Sequence, residues 1–180
     1  LTSLEALRQN PEIQILKTMG QTSEMVQINT FDPVMSSVEL RQAVAAACDF
    51  PTAVSALLTD LAEPAQGFFS PVFGEFVSQE AKLPAYDPQK AAELLAGLGY
   101  GDSNGDGLLE KDGQTLTLKL LVDGKNEEDK ALSTVMQDQL KQVGIDLQVT
   151  MLDAAALKER LSAHDYQMAM QGQNYIPTDD

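Results

Sequence analysis

The stretch from Leu116 to Met151 constrains the fold more than any other part of this chain. Leu116, Leu118 and Leu120 alternate with Thr115, Thr117 and Lys119, the period-two pattern of a strand with one buried face. Leu132, Val135, Met136, Leu140 and Val143 then recur at helical spacing, which predicts a helix over 127–143. Gly144 ends that helix where a left-handed residue is wanted, and Ile145, Leu147, Val149 and Met151 alternate once more. Strand, helix, strand is a βαβ unit, whose strands run parallel through a right-handed crossover. The fold class is therefore α/β.

The flanking segments are nearly as explicit. Asp87 can cap a helix that opens on Pro88, since proline lacks an N–H that would be unpaired there anyway. Ala91, Leu94, Leu95 and Leu98 share its apolar face, Gly99 stops it, and an acidic turn follows over Asp102–Gly107. Nearer the start, Ser3 caps a short helix over 4–9 that Asn10 and Pro11 break. Ile13 and Ile15, then Val26 and Ile28, mark two strands. Ser36 with Glu39 forms a capping box for a helix reaching about residue 48. Pro51 opens another helix, with Val54, Leu57, Leu58 and Leu61 as its stripe. From Ala62 to Leu83 prolines and glycines punctuate a long loop. Asp153 caps a helix to about Ala163, and Tyr166–Gln171 supplies a last strand.

Composition excludes several functions. The net charge of −15 disfavours nucleic acid and anionic membranes, because a face for either must neutralise phosphates with Lys and Arg. His164 is the single histidine, read as a surface turn residue, and Cys48 the single cysteine, read as a small buried hydrophobe. One of each rules out a His/Cys metal cluster, and no serine stands in a nucleophile elbow. The chain is expected not to be an enzyme and to carry no cofactor. No apolar run approaches the ~20 residues needed to span a bilayer.

The order of motifs resembles the extracellular solute-binding proteins of the peptide/nickel class that feed ABC importers. Met25 to Thr30 looks like the family's strand ending in Asn-Thr. Val38, Arg41 and Ala43 with Ala47 and Asp49 look like its V-R-x-A and A-x-D-R helix, Phe50 replacing the usual arginine. Tyr86, Asp87, Pro88, Lys90 and Ala91 match Y-D-P-x-K-A, and Asp165 to Gly172 looks like the terminal F-D-x-x-x-x-G-W strand, with Gln173 in place of tryptophan. The resemblance implies one lobe over residues 1–180: the larger lobe of a type II periplasmic-binding-protein clamshell, a mixed sheet flanked by helices. It implies an excised fragment, with the signal region, the smaller lobe and a C-terminal remainder lying outside it. It also implies a peptide-like small solute, permease subunits as partners, and a place in the periplasm or lipid-anchored outside the cytoplasmic membrane.

Peptide-binding relatives continue this strand as G-W-x-x-D, whose Asp pairs with the peptide ammonium. Here Ile176 falls on that Asp, so the resemblance places no carboxylate there. The expected solute-facing residues are Gln171, Gln173, Asn174 and Tyr175, with Asn29 and the Phe68–Phe69 loop as further walls. Amides, a phenol and apolar rings read a ligand by hydrogen bonds and stacking rather than by charge. An alternative function is a calcium-binding module at 102–110. Asp102, Asn104, Asp106 and Glu110 fit the start of a calcium loop, although Gly113 occupies the closing position where a bidentate Glu belongs. The competing reading is a turn in which Asx side chains cap backbone amides.

Overall fold

The structure, a computed structural model, describes residues 2–58, 61–78, 80 and 82–174. The predicted βαβ unit is present. Strand β4 (Thr117–Asp123) leads through helix α5 (Glu127–Gln142) to strand β5 (Asp146–Leu152). The two strands pair in parallel, Leu118 opposite Leu147 and Leu120 opposite Val149. Asn126 caps α5 by accepting from the amides of Glu128 and Asp129, both at 3.1 Å. Gly144 has φ +83, and a Cβ there would stand 2.5 Å from Leu109 Cγ, so only glycine fits the exit from α5.

Upstream lie α1 (Thr2–Arg8), β1 (Thr22–Ile28), α2 (Val38–Ala47), α3 (Phe50–Leu57) and α4 (Pro88–Gly97). A small hairpin, β2 (Glu110–Lys111) with β3 (Gln114–Thr115), precedes β4. After β5 come α6 (Ala154–Ser162) and β6 (Met168–Asn174). Strand β6 inserts between β1 and β4, giving the order β1-β6-β4-β5. It runs antiparallel to β1 and parallel to β4, so the sheet is mixed.

Two apolar clusters sandwich the sheet. On one face Leu118, Leu120, Val122, Met168 and Met170 pack with Leu40 of α2, Leu95 of α4 and Met136 and Leu140 of α5. On the other, Leu121 and Ala169 pack with Tyr166 and with Leu157 of α6. Each fully buried Leu or Met contributes roughly 1.5–3 kcal/mol, and most such residues lie in the first cluster. Cys48 is buried in it, as its setting predicts, and His164 is an exposed turn residue with φ 55.

Several local expectations are corrected. Residues 13–20 form no strand, and Ile13 is 40% exposed: two isoleucines without a sheet edge to pair with do not make one. Helix α1 starts at Thr2, so Ser3 lies inside its first turn. The cap of α2 is Ser37, whose Oγ accepts from Leu40 N at 3.1 Å, while Ser36 donates to the Pro33 carbonyl. The stripe on α3 is narrower than its spacing suggested, since Leu57 is 37% and Leu61 50% exposed while Ala53 and Leu58 are buried. The long loop contains a 3-10 turn over Pro71–Phe76. The last strand starts two residues late, because Tyr166 turns into the α6 cluster before β6 begins.

Candidate functional site

Strand β6 stays paired with β1 to Asn174, but its pairing with β4 covers only Leu120 with Met168 and Leu121 with Ala169. Beyond that point the carboxyl ends of β4 and β6 diverge. A cleft of about 560 Å³ opens between them, bordered by the first turns of α5 and α6. The crevice outside the carboxyl ends of strands is where open α/β sheets bind ligands, because helix N-termini and loops converge there.

Gln171 and Gln173 line this cleft. They alternate along β6 and so share the face of Ala169, and Gln173 Nε2 donates to Gln171 Oε1 at 3.3 Å. The backbone of Asn174 pairs with Thr22 at the end of β6, but its side chain lies outside the described residues, as does all of Tyr175. From α6, Leu157, Leu161 and Lys158 complete that wall.

The opposite wall is acidic. Glu24 of β1 pairs with Gly172 of β6, which places both on the α5 face of the sheet. Its side chain folds over Gly172, so that a Cβ on residue 172 would stand 2.7 Å from Glu24 Oε2. Ahead of it is Asp129, 3% exposed, in the first turn of α5. Asp129 Oδ1 is buried and meets no hydrogen-bond donor among the described residues. Glu24 itself is exposed at the mouth of the cleft, but partial desolvation where it covers Asp129, then the charge and the hydrogen bond of Asp129, push its carboxyl up to about 7. Burial also raises Asp129, although its hydrogen bond with Glu24 pulls the other way. Two carboxyl groups so close cannot both ionise cheaply, which favours a proton shared between them.

Asn29 stands elsewhere. It lies five residues along β1 from Glu24, about 17 Å at the usual strand rise. Its Nδ2 donates to the carbonyls of His164 at 3.0 Å and Tyr166 at 2.9 Å, and its Oδ1 accepts from Phe31 N at 3.1 Å. With these three bonds and 6% exposure, Asn29 ties the end of β1 to the start of β6. It borders a second, smaller cleft of about 360 Å³ with Tyr166 and Arg160. Phe68 and Phe69 line neither cleft; they meet edge to face at 5.1 Å, and Phe69 meets Phe73 at 6.3 Å. Ser70 anchors their loop to the Gly20 carbonyl at 2.8 Å, just ahead of β1.

The acidic turn is a closed network of side-chain-to-backbone bonds. Asp102 accepts from Gly105 N and Gly107 N at 2.7 and 3.0 Å, Asn104 from Asp106 N at 2.8 Å, and Asp106 from Leu108 N at 2.8 Å. Glu110 Oε2 accepts from the amide and hydroxyl of Ser103, while its Oε1 is buried without a partner among the described residues. Carboxylate oxygens of Asp102, Asp106 and Glu110 lie within 4.8 Å of one another.

Sequence reading missed Glu24 and Asp129. For Asp129 a signal was there: residues 129, 132, 133, 136 and 140 form the buried stripe of α5, so an acid stood on the apolar face. For Glu24 nothing in β1 pointed to the cleft, because its role depends on the register with Gly172. The expected wall of neutral side chains is thus incomplete, since three carboxyl groups (Glu24, Asp123 and Asp129) face one lysine, Lys158. No helix among the described residues is long and apolar enough to cross a membrane.

The chain resembles known proteins in both sequence and fold. The oligopeptide-binding protein AppA of Bacillus subtilis is 30% identical over 136 residues, 74% of this chain and 25% of AppA. The glutathione-binding protein GsiB of Escherichia coli K12 is 28% identical over 148 residues, 82% of this chain and 26% of GsiB. The solved structure of AppA from Bacillus subtilis in complex with a nonapeptide superposes with a TM-score of 0.85 at 25% identity, covering 98% of this chain and 36% of that one. The chain therefore spans about a quarter of the length of the curated relatives it matches. The fold is that of type II periplasmic binding proteins, mixed α/β with parallel and antiparallel strands. Residues 1–180 match the middle region of the bacterial extracellular solute-binding proteins of family 5, and the chain belongs to that family.

Proposed function

We propose that this chain is the larger lobe of a solute-capture protein, closing with a second lobe on a small peptide-like solute and delivering it to an ABC permease. Lobe closure of this kind is a hinge motion in which each lobe supplies part of the site. The observation that carries the reading is the cleft at the carboxyl ends of β4 and β6, with Gln171 and Gln173 on its wall. Oligopeptide and glutathione binding, which the names of two relatives give, supports a peptide-like solute. On this reading the protein works outside the cytoplasmic membrane, transports rather than transforms its solute, and needs no cofactor.

The test is solute affinity of the complete protein, measured by calorimetry on a panel of short peptides and glutathione. The double variant Gln171→Ala with Gln173→Ala is expected to lose at least tenfold in affinity, about 1.4 kcal/mol. Undiminished affinity would move the site away from β6. A second reading, a calcium-binding module at 102–110, draws on the carboxylate cluster of Asp102, Asp106 and Glu110. It is the weaker one, since Gly113 offers no side chain to close the shell.

A further inference from the structure

The cleft has a feature that neutral hydrogen bonding to the glutamines does not use. Asp129 is almost wholly buried, yet Oδ1 meets no donor among the described residues, and no lysine or arginine among them forms an ion pair with it or with Glu24. A buried carboxylate without a partner is costly, so such a group persists where something else completes it. Gly172 is the second sign. Any side chain there would strike Glu24 Oε2, so the absence of a Cβ lets the Glu24 carboxyl lie over the strand, within hydrogen-bonding reach of Asp129.

Among the described residues, the charged groups that act on the pair or line its cleft are few. Asp123 on β4 and Glu128 on α5 add negative charge. Asn126, the cap of α5, is neutral, and its Oδ1 is taken by two backbone amides. Lys158 on α6 lines the opposite wall of the cleft, is exposed, and makes no ion pair among the described residues. Among the described residues, then, the surroundings favour a proton on the pair, and no cation is paired with it.

Resting on the reading of this cleft as the solute site, we propose that Glu24 and Asp129 form its cation-receiving subsite, which exchanges one proton for a primary ammonium group of the solute. In the free protein one carboxyl donates its proton to the other. On binding, that O–H proton leaves to solvent, the ammonium donates an N–H bond to the ionised Glu24, and as Glu24 swings aside it donates a second to the uncovered Asp129 Oδ1. Charge-assisted bonds of this kind are shorter and stronger than neutral ones. The exchange makes affinity for an ammonium-bearing solute rise with pH through neutrality, because the proton competes for the same oxygens.

The test follows the side-chain carboxyl carbons of Glu24 and Asp129 by NMR in the complete protein during titration with propylammonium, trialanine and N-acetyl-lysine amide. N-acetyl-trialanine and propanamide are the neutral controls. At least one ammonium probe is expected to lower the midpoint of the shared titration by about one unit or more, with no effect from the controls. A response to trialanine alone assigns the subsite to a peptide α-ammonium, and a response to N-acetyl-lysine amide assigns it to a side-chain amine. In Glu24→Gln the response should vanish while the protein stays folded. A midpoint that none of the ammonium probes moves, or that the neutral controls move equally, overturns the proposal. Failure of the site itself looks different: the glutamine double variant would then keep its affinity for the peptide panel, whatever the carboxyl pair does.

Discussion

Gly172 and Glu24 occupy one another's space: a Cβ on residue 172 would lie 2.7 Å from Glu24 Oε2. Gly172 shows no positive φ, so alanine there meets no backbone strain. Only the far end of a flexible side chain has to move. Gly172→Ala is therefore expected to leave the melting temperature within a few degrees of the parent, since a ΔΔG of 1 kcal/mol shifts it by about 2–4 °C at this size. The same variant should swing Glu24 off Asp129 and return its titration toward the ordinary carboxylate range. A Glu24 carboxyl that still titrates near neutrality in the alanine variant would show that the two residues do not crowd as described.

The pair also predicts a pH dependence of stability. The Glu24 carboxyl is raised from 4.5 to about 7, so the native state holds a proton that the unfolded chain gives up. Stability from this group is full below about pH 4.5 and is lost as pH rises through about 7. Asp129, raised in the same direction, reinforces the trend. Glu24→Gln cannot ionise. Its melting temperature should match the parent at pH 5 and exceed it at pH 8; parallel curves across that window would mean that Glu24 is ionised throughout.

Leu118 is fully buried on the α5 face of β4, opposite Leu147 in the parallel register. Leu118→Asp places an unpaired charge between sheet and helix, where no partner can reach it. The expected loss exceeds about 4 kcal/mol, a large part of the 5–15 kcal/mol that holds a typical domain together. Denaturant unfolding measures it. A parent-like midpoint would mean that the inward face of β4 carries other residues.

How much of this was legible in the sequence differs by level. The βαβ unit was readable because Leu116, Leu118 and Leu120 alternate and Gly144 has a single conformational use. The insertion of β6 between β1 and β4 was not, since strand order depends on contacts between segments far apart in the chain, Met168 meeting both Ile28 and Leu120. The same holds within the cleft. Gln171 and Gln173 were placed by their position at the end of the last strand, and the structure brings them together on one wall. Asn29, read as a neighbour of theirs, is held instead by the carbonyls of His164 and Tyr166, a long-range pairing with no sequence signal. The acidic wall depends on a register between β1 and β6 that local pattern does not encode.

The acidic turn yields the last prediction. Gly107 has φ +86, and no described residue comes within 4 Å of where a Cβ would stand, so the cost of replacing it is conformational. Gly107→Val should destabilise by about 1–3 kcal/mol, as a β-branched residue is forced into the left-handed region. Calcium separates the structural reading of the turn from the ligating one. Both Asp102 oxygens already accept backbone amides, and Gly113 supplies no closing carboxylate, so binding should be no tighter than the weak range of extracellular sites, about 10⁻⁴ M. Buried Glu110 Oε1 and the close approach of Asp102, Asp106 and Glu110 are what a cation would exploit. Calorimetry on the parent and on Asp102→Ala decides between the two. Micromolar affinity in the parent, abolished by the substitution, would make the turn a calcium site and its amide bonds the scaffold that shapes it.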